Sequence, residues 1–185
     1  MVKEMKLLVV EDEIRQQELV TRSLSDTGHE EVQSQMKKEL EKKLLDRWPS
    51  WFNVLGDPRE TRMGDGFAHG DGWFGIVWRL CEDLEPLARE AERTTGRPFE
   101  VLQVKEKFAG LRFYVNHRTD AIQNRIEAAE VESFHTCEVC GQPGRHREGD
   151  WIRTVCDKHA SAGEGELACK PARRRFVCRI NEDSV

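Results

Sequence analysis

The chain has 185 residues and a formal net charge of −5, with 38% hydrophobic and 34% charged residues. That length allows one ordinary domain with a small satellite and a sizeable core. Five Trp and eight Phe argue against disorder over most of the chain. Five of the six Cys lie beyond residue 136, two of them in a C-x-x-C, which is metal spacing and not a disulfide ladder. Zinc ligation needs reduced thiols, so a reducing cytoplasm is expected. The opening apolar run, Leu7-Leu-Val-Val10, is too short for a signal-peptide core or a bilayer span.

Residues 6–10 read as a buried parallel strand ending at the acids Glu11-Asp12-Glu13. Residues 14–27 read as a helix, with Ile14, Leu19, Val20 and Leu24 roughly on one face and Gly28 as its C-cap. This opening resembles the first strand and helix of a response-regulator receiver domain, with Glu11 and Asp12 standing where that family places its acidic magnesium-binding pair. The resemblance implies a phosphorelay role and ends after about thirty residues. Asp46 is nearer than a phospho-acceptor should be and lies in a helical stretch. One alternative for the whole chain is therefore a truncated receiver-type protein, residues 1–33 being its fragment.

From Ser34 the pattern changes. Met36, Leu40, Leu44 and Trp48 recur at i+4 and predict an amphipathic helix that Pro49 ends. Residues 56–72 are rich in Gly and Asp and read as a loop. A long helix starts near Asp71 or Trp73, with Trp73, Val77, Leu80, Leu84, Leu87 and Ala91 on one face; Pro86 is expected to kink or restart it, and Gly96 and Pro98 to close it. Phe99–Glu106 and Leu111–Val115 read as strands of a hairpin turning through Glu106-Lys-Phe-Ala-Gly110. Thr119 or Asp120 caps a further helix carrying Ile122, Ile126 and Ala129.

The most specific motif follows. Cys137-Glu-Val-Cys140-Gly reads as a zinc knuckle, the two-residue gap aiming both thiolates at one ion. Fifteen residues later comes Cys156-Asp-Lys-His159, and the stretch between supplies a hairpin through Glu148-Gly-Asp150. A knuckle, a hairpin and a second ligand pair entering a short helix make a treble-clef-like module. Four N/S ligands close the tetrahedron, so one structural Zn2+ is expected, with no open position for water. His146 and His135 compete for the fourth place, while Cys169 and Cys178 read as free thiols, with Cys169 an alternative contributor to the site.

Three weaker features remain. Asp65, His69 and Asp71 share one Gly-rich loop and could bind metal or do acid/base chemistry; the plainer reading is turns, with Asp71 capping the next helix. Lys105, Lys107, Arg112 and Tyr114 fall on the outward face of the hairpin, a candidate nucleic-acid surface with Phe108, or simply a solvated face. Arg173, Arg174 and Arg175 lie in a basic tail that could touch phosphates or serve solubility, with a short strand at 175–177.

The chain from Met36 onward carries Leu45-Asp-Arg-Trp-Pro-Ser-Trp51, His69-Gly-Asp-Gly-Trp-Phe74, Leu80-Cys-Glu-Asp-Leu84, Val104-Lys-Glu-Lys-Phe-Ala-Gly-Leu-Arg-Phe-Tyr114 and Cys137-Glu-Val-Cys-Gly141. With these it resembles an uncharacterised phage and prophage family, which usually has Gly in place of Ala109. The resemblance implies viral or prophage origin and brings no activity with it. The expected fold is α+β: a core of helices with a β-hairpin at 34–134, a zinc module at 135–169 and a tail at 170–185. The expected function is a small zinc-stabilised binding or regulatory protein whose partner is a macromolecule, protein or nucleic acid, and not a membrane. An enzyme using the Asp65, His69 and Asp71 loop is a further alternative.

Overall fold

A computed structural model describes residues 35–148 and 152–161, together with the backbone of three short strands at 165–166, 170–172 and 175–177. The receiver-like stretch with Glu11 and Asp12 lies outside the described residues, as do Cys169, Cys178, Arg173 and Arg174. The architecture is α+β, with three helices and small antiparallel sheets among the described residues.

Helix α1 (Lys38–Arg47) buries Leu44 fully and continues the stripe through Met36 and Trp48. It begins four residues later than the pattern from Ser34 suggests: Lys37 is extended at its N-cap and the Met36 N–H donates instead to Phe67 O (3.2 Å). The first orphan N–H of the helix, on Lys37, donates to Asp71 Oδ1 at 2.8 Å. A second tie from α1 is Glu41, only 6% exposed, whose Oε1 accepts the Phe67 N–H (3.1 Å).

Beyond Pro49 the aromatics knit the core. Trp48 meets Trp78 edge-on at 4.9 Å, Trp51 meets Phe99 at 4.7 Å, and Phe52 meets Phe67 at 5.2 Å. Each such pair contributes about 0.5–1.5 kcal/mol beyond its burial.

The loop expected at 56–72 is not a free loop. It runs along the edge of strand β1 (Val101–Lys107), with Arg62 N donating to Leu102 O (2.8 Å) and Glu106 N to Ala68 O (2.7 Å). It makes single helical turns at Met63–Asp65 and Asp71–Trp73 and buries Met63, Phe67 and His69.

Helix α2 (Phe74–Thr95) is the spine, burying Val77, Leu80, Leu84, Ala88 and Ala91. It runs unbroken through Pro86, so the expected restart does not occur. Pro86 is exposed, which leaves the freed Glu82 carbonyl on the wet side of the helix. Gly96, left-handed at φ +69°, ends it by bonding Glu92 O.

Strand β1 pairs antiparallel with β2 (Gly110–Val115) through Val104↔Phe113, Lys105↔Arg112 and Lys107↔Gly110. Leu111, Phe113 and Val115 face the core. The turn is two residues, Phe108 and Ala109, with φ of +54° and +61°. Two-residue hairpins favour such left-handed pairs because their twist matches the strands, and they usually recruit Asn-Gly for them. Helix α3 (Asp120–Ser133) is capped by Thr119, whose Oγ1 accepts the Ile122 N–H, and its Ser133 Oγ accepts the Leu111 N–H at 2.9 Å.

The C-terminal strands are β3 (Arg145–Glu148), β4 (Arg153–Val155) and β5 (Gly165–Glu166), in the order β4-β3-β5, and a separate pair, β6 (Lys170–Ala172) with β7 (Arg175–Val177). All of these belong to the same compact unit as the core, which spans Gln33–Val185; the metal-ligand segment is thus part of one body with 34–134.

Candidate metal centre

The knuckle opens directly off the end of α3. Cys137 N donates to Gln142 O (2.7 Å) and Gly141 N to Cys137 O (2.8 Å), which folds Cys137–Gln142 into a tight loop. Gly141 sits at φ +72°, so a side chain there would be strained. Strands β3 and β4 then carry the chain back, Arg145 opposite Val155, and deliver Cys156. His159 follows on a hydrogen-bonded turn, its N–H donating to Cys156 O at 2.9 Å. The expected short helix behind this second ligand pair is absent among the described residues; the turn alone aims both side chains at the knuckle.

The Sγ atoms of Cys137, Cys140 and Cys156 and a ring nitrogen of His159 all lie within 4.8 Å of one another. Cys140 Sγ is 3.8 Å from Cys156 Sγ, and His159 Nδ1 is 3.5 Å from Cys137 Sγ and 3.3 Å from Cys156 Sγ. A tetrahedron with ordinary Zn–S and Zn–N bonds has S···S edges of about 3.8 Å and S···N edges of about 3.5 Å. The thiols are far too distant for a disulfide, whose bond is about 2.05 Å. The four residues could therefore hold one metal ion, and their spacing is compatible with a structural zinc.

Electrostatics agrees with this donor set. Burial acts to raise the Cys156 thiol, but hydrogen bonds from His159, the Lys158 backbone and the other two thiols bring it down to about 6. Cys140 goes the other way: the Gln142 backbone favours its thiolate, yet burial and the two neighbouring thiols raise it overall. Three thiols this close cannot all ionise without a cation among them.

The competing histidines stand apart. His146 packs edge-on against Phe134 at 5.1 Å, and neither it nor His135 joins the cluster.

The knuckle docks on the core through residues with no motif of their own. Glu138, 4% exposed, accepts the Gly70 N–H on Oε1 (3.0 Å), and its carbonyl accepts the Gly72 N–H at 2.7 Å. Trp73 Nε1 donates to Thr136 O (2.8 Å), and Thr154 Oγ1 donates to Ala109 O (2.7 Å). A Cβ on Gly72 would fall 2.1 Å from Cys137 O. Glu138 and Gly72 are the functional residues that sequence reasoning passes over. Their only signal is presence inside two motifs far apart in the chain.

No known protein family, curated protein or solved structure matches this chain.

The other candidate residues divide by role. Asp71 is taken up by Lys37, through the backbone N–H and through Nζ at 2.8 Å. His69 is fully buried between Phe67 and Trp73, its Nδ1 3.0 Å from Gly70 O and its Nε2 without a hydrogen-bond partner. Burial pushes the His69 ring down to about 4. Asp65 ends the Met63–Asp65 turn, and these three do not form a cluster of metal-ligand spacing among the described residues.

On the hairpin, Lys105 Nζ stands 5.9 Å from the Tyr114 ring and Lys107 Nζ 5.2 Å from the Phe108 ring. Arg112 shares their strand face but turns inward. It lies over Phe134 at 5.9 Å, donates to Leu111 O (2.7 Å) and reaches Glu130 at 3.9 Å. Arg175 is known only as backbone in β7.

Proposed function

We propose that this chain is a small zinc-stabilised binding or regulatory protein of phage type. One Zn2+ is held by Cys137, Cys140, Cys156 and His159, and the protein acts in the cytoplasm through its surface, its partner a protein or a nucleic acid. The observation that carries this reading is the convergence of three thiols and one imidazole within 4.8 Å. All four positions of a tetrahedral ion would be filled by protein, which is the pattern of a structural site. The phage assignment rests on the five motifs from Leu45 to Gly141. Among the described residues no helix is long and apolar enough to cross a membrane.

The test is elemental analysis of freshly purified protein. One zinc per chain is expected, lost in Cys137→Ser and kept in His146→Ala. Protein without stoichiometric zinc would refute the reading.

A further inference from the structure

The hairpin tip poses a question that packing does not answer. Phe108 is 65% exposed at a φ of +54°, a backbone region unfavourable for a bulky side chain. Asn or Gly would satisfy the turn without strain and without exposing a ring. The ring is accompanied by cations: Lys107 lies over it, Lys105 lies over Tyr114 farther along the same face, and Arg62 stands close enough to act on Lys105. Several other cations pair with acids, as Arg79 with Glu132 and Arg125 with Asp83. Among the described residues no ion pair involves Arg62, Lys105 or Lys107. Glu106, the acid of this strand, accepts the Ala109 N–H at 2.6 Å. Burial first, then the neighbouring charges of Lys107 and Arg62, hold the Lys105 ammonium below its usual range.

We propose that this face, with Lys105, Lys107, Phe108 and Tyr114 at its centre and Arg62 at its margin, binds single-stranded nucleic acid. Phosphates supply the anionic charge that the cluster lacks, and unpaired bases supply flat faces for the exposed Phe108 ring. A duplex would satisfy the charge but keep its bases covered, and an acidic polypeptide would offer no bases. The inference rests on the reading of the chain as a binding protein and names the partner class.

The test uses the full zinc-loaded chain and fluorescence anisotropy with three labelled probes: a mixed-sequence single strand, the same sequence as a duplex, and poly-glutamate. The single strand should bind about ten-fold more tightly than either other probe, and its affinity should fall steeply between about 50 and about 200 mM salt. Phe108→Ser should weaken single-strand binding about ten-fold, the scale of one lost stack. Lys105→Glu with Lys107→Glu should nearly abolish it. Zinc content and melting temperature should stay at the wild-type values in both variants; if the double variant loses either, Phe108→Ser alone decides. No binding at low salt, equal affinity for poly-glutamate or duplex, or indifference to Phe108→Ser would overturn the inference. Stoichiometric zinc in that same sample would leave the broader reading standing.

Discussion

His69 shows how one side chain can set the acid limit of the fold. The imidazole is sealed among Phe67 and Trp73, and desolvation holds its folded pKa at about 4 against an ordinary value of 6.5. The unfolded chain therefore binds this proton more readily than the folded one between those values. Stability from His69 is complete above pH 6.5 and drains away as pH falls toward 4. It amounts to roughly 3 kcal/mol for a shift of this size. The ring proton signal of His69 should stay in its neutral position from pH 7.5 down to about 5 in an NMR titration. The fall of the urea midpoint on acidification should be shallower in His69→Gln than in wild type, both at saturating zinc, which subtracts the acid loss of the metal common to both. A His69 signal that titrates near 6.5 would show the ring to be open to water.

At the scale of elements, the sequence was readable where a period or a spacing carried the information. The Met36, Leu40, Leu44, Trp48 stripe and the Val77 to Ala91 stripe became α1 and α2 because burial repeats with the helical turn. The Cys137-x-x-Cys140 pair and the Cys156 to His159 pair were legible because ligand geometry fixes their spacing. The stretch 56–72 was not, since its glycines and aspartates hide Met63, Phe67 and His69, which are buried by contacts with β1 and α1 that no local pattern encodes. The hairpin was visible from Leu111, Phe113 and Val115, but its left-handed Phe108-Ala109 turn carries neither Asn nor Gly in those two places. The docking of the knuckle was equally hidden, and it gives a sharp prediction. Gly72→Ala places a methyl 2.1 Å from Cys137 O, 2.5 Å from Gly141 N and 2.7 Å from Glu138 O, all of them backbone atoms. Backbone on both sides cannot yield as a flexible side chain would, so one methyl must push the knuckle off the Asp71–Trp73 turn. That displacement breaks the Gly72 N–H to Glu138 O bond and uncovers Trp73, and should cost about 3 kcal/mol or more. Differential scanning calorimetry should find a melting point lower by several degrees, and a competing chelator should extract zinc faster than from wild type. A Gly72→Ala protein that melts and holds zinc like wild type would show the close approach to be unimportant.

For the whole molecule, the question is whether metal and core are one cooperative unit. Sequence motifs suggest a satellite that could unfold alone, leaving the helices of 34–134 in place. The bonds argue otherwise. Glu138 satisfies two backbone donors of the 70–72 segment, Trp73 donates into the knuckle, and Thr154 holds the Ala109 carbonyl at the hairpin turn. The same 70–72 segment supplies Asp71 to the first turn of α1, so the knuckle, α1 and α2 share one short stretch of chain. If the knuckle opens, Glu138 is withdrawn and the buried Gly70 N–H loses its acceptor, a cost of about 1–3 kcal/mol for that single group. A structural zinc in a small site contributes on the order of 10–16 kcal/mol of apparent binding free energy, and whatever share of it a zinc bound at these four residues passed to the core would travel through those contacts. Chelation should therefore yield a single melting transition, monitored by helical circular dichroism and by tryptophan fluorescence together, and displaced downward by more than about 10 °C. Each kcal/mol shifts the midpoint of a domain this size by about 2–4 °C, so even partial transmission of the binding energy is visible. Two separate transitions, with the helical one unmoved by chelator, would mean that the knuckle is a passenger on an independent core.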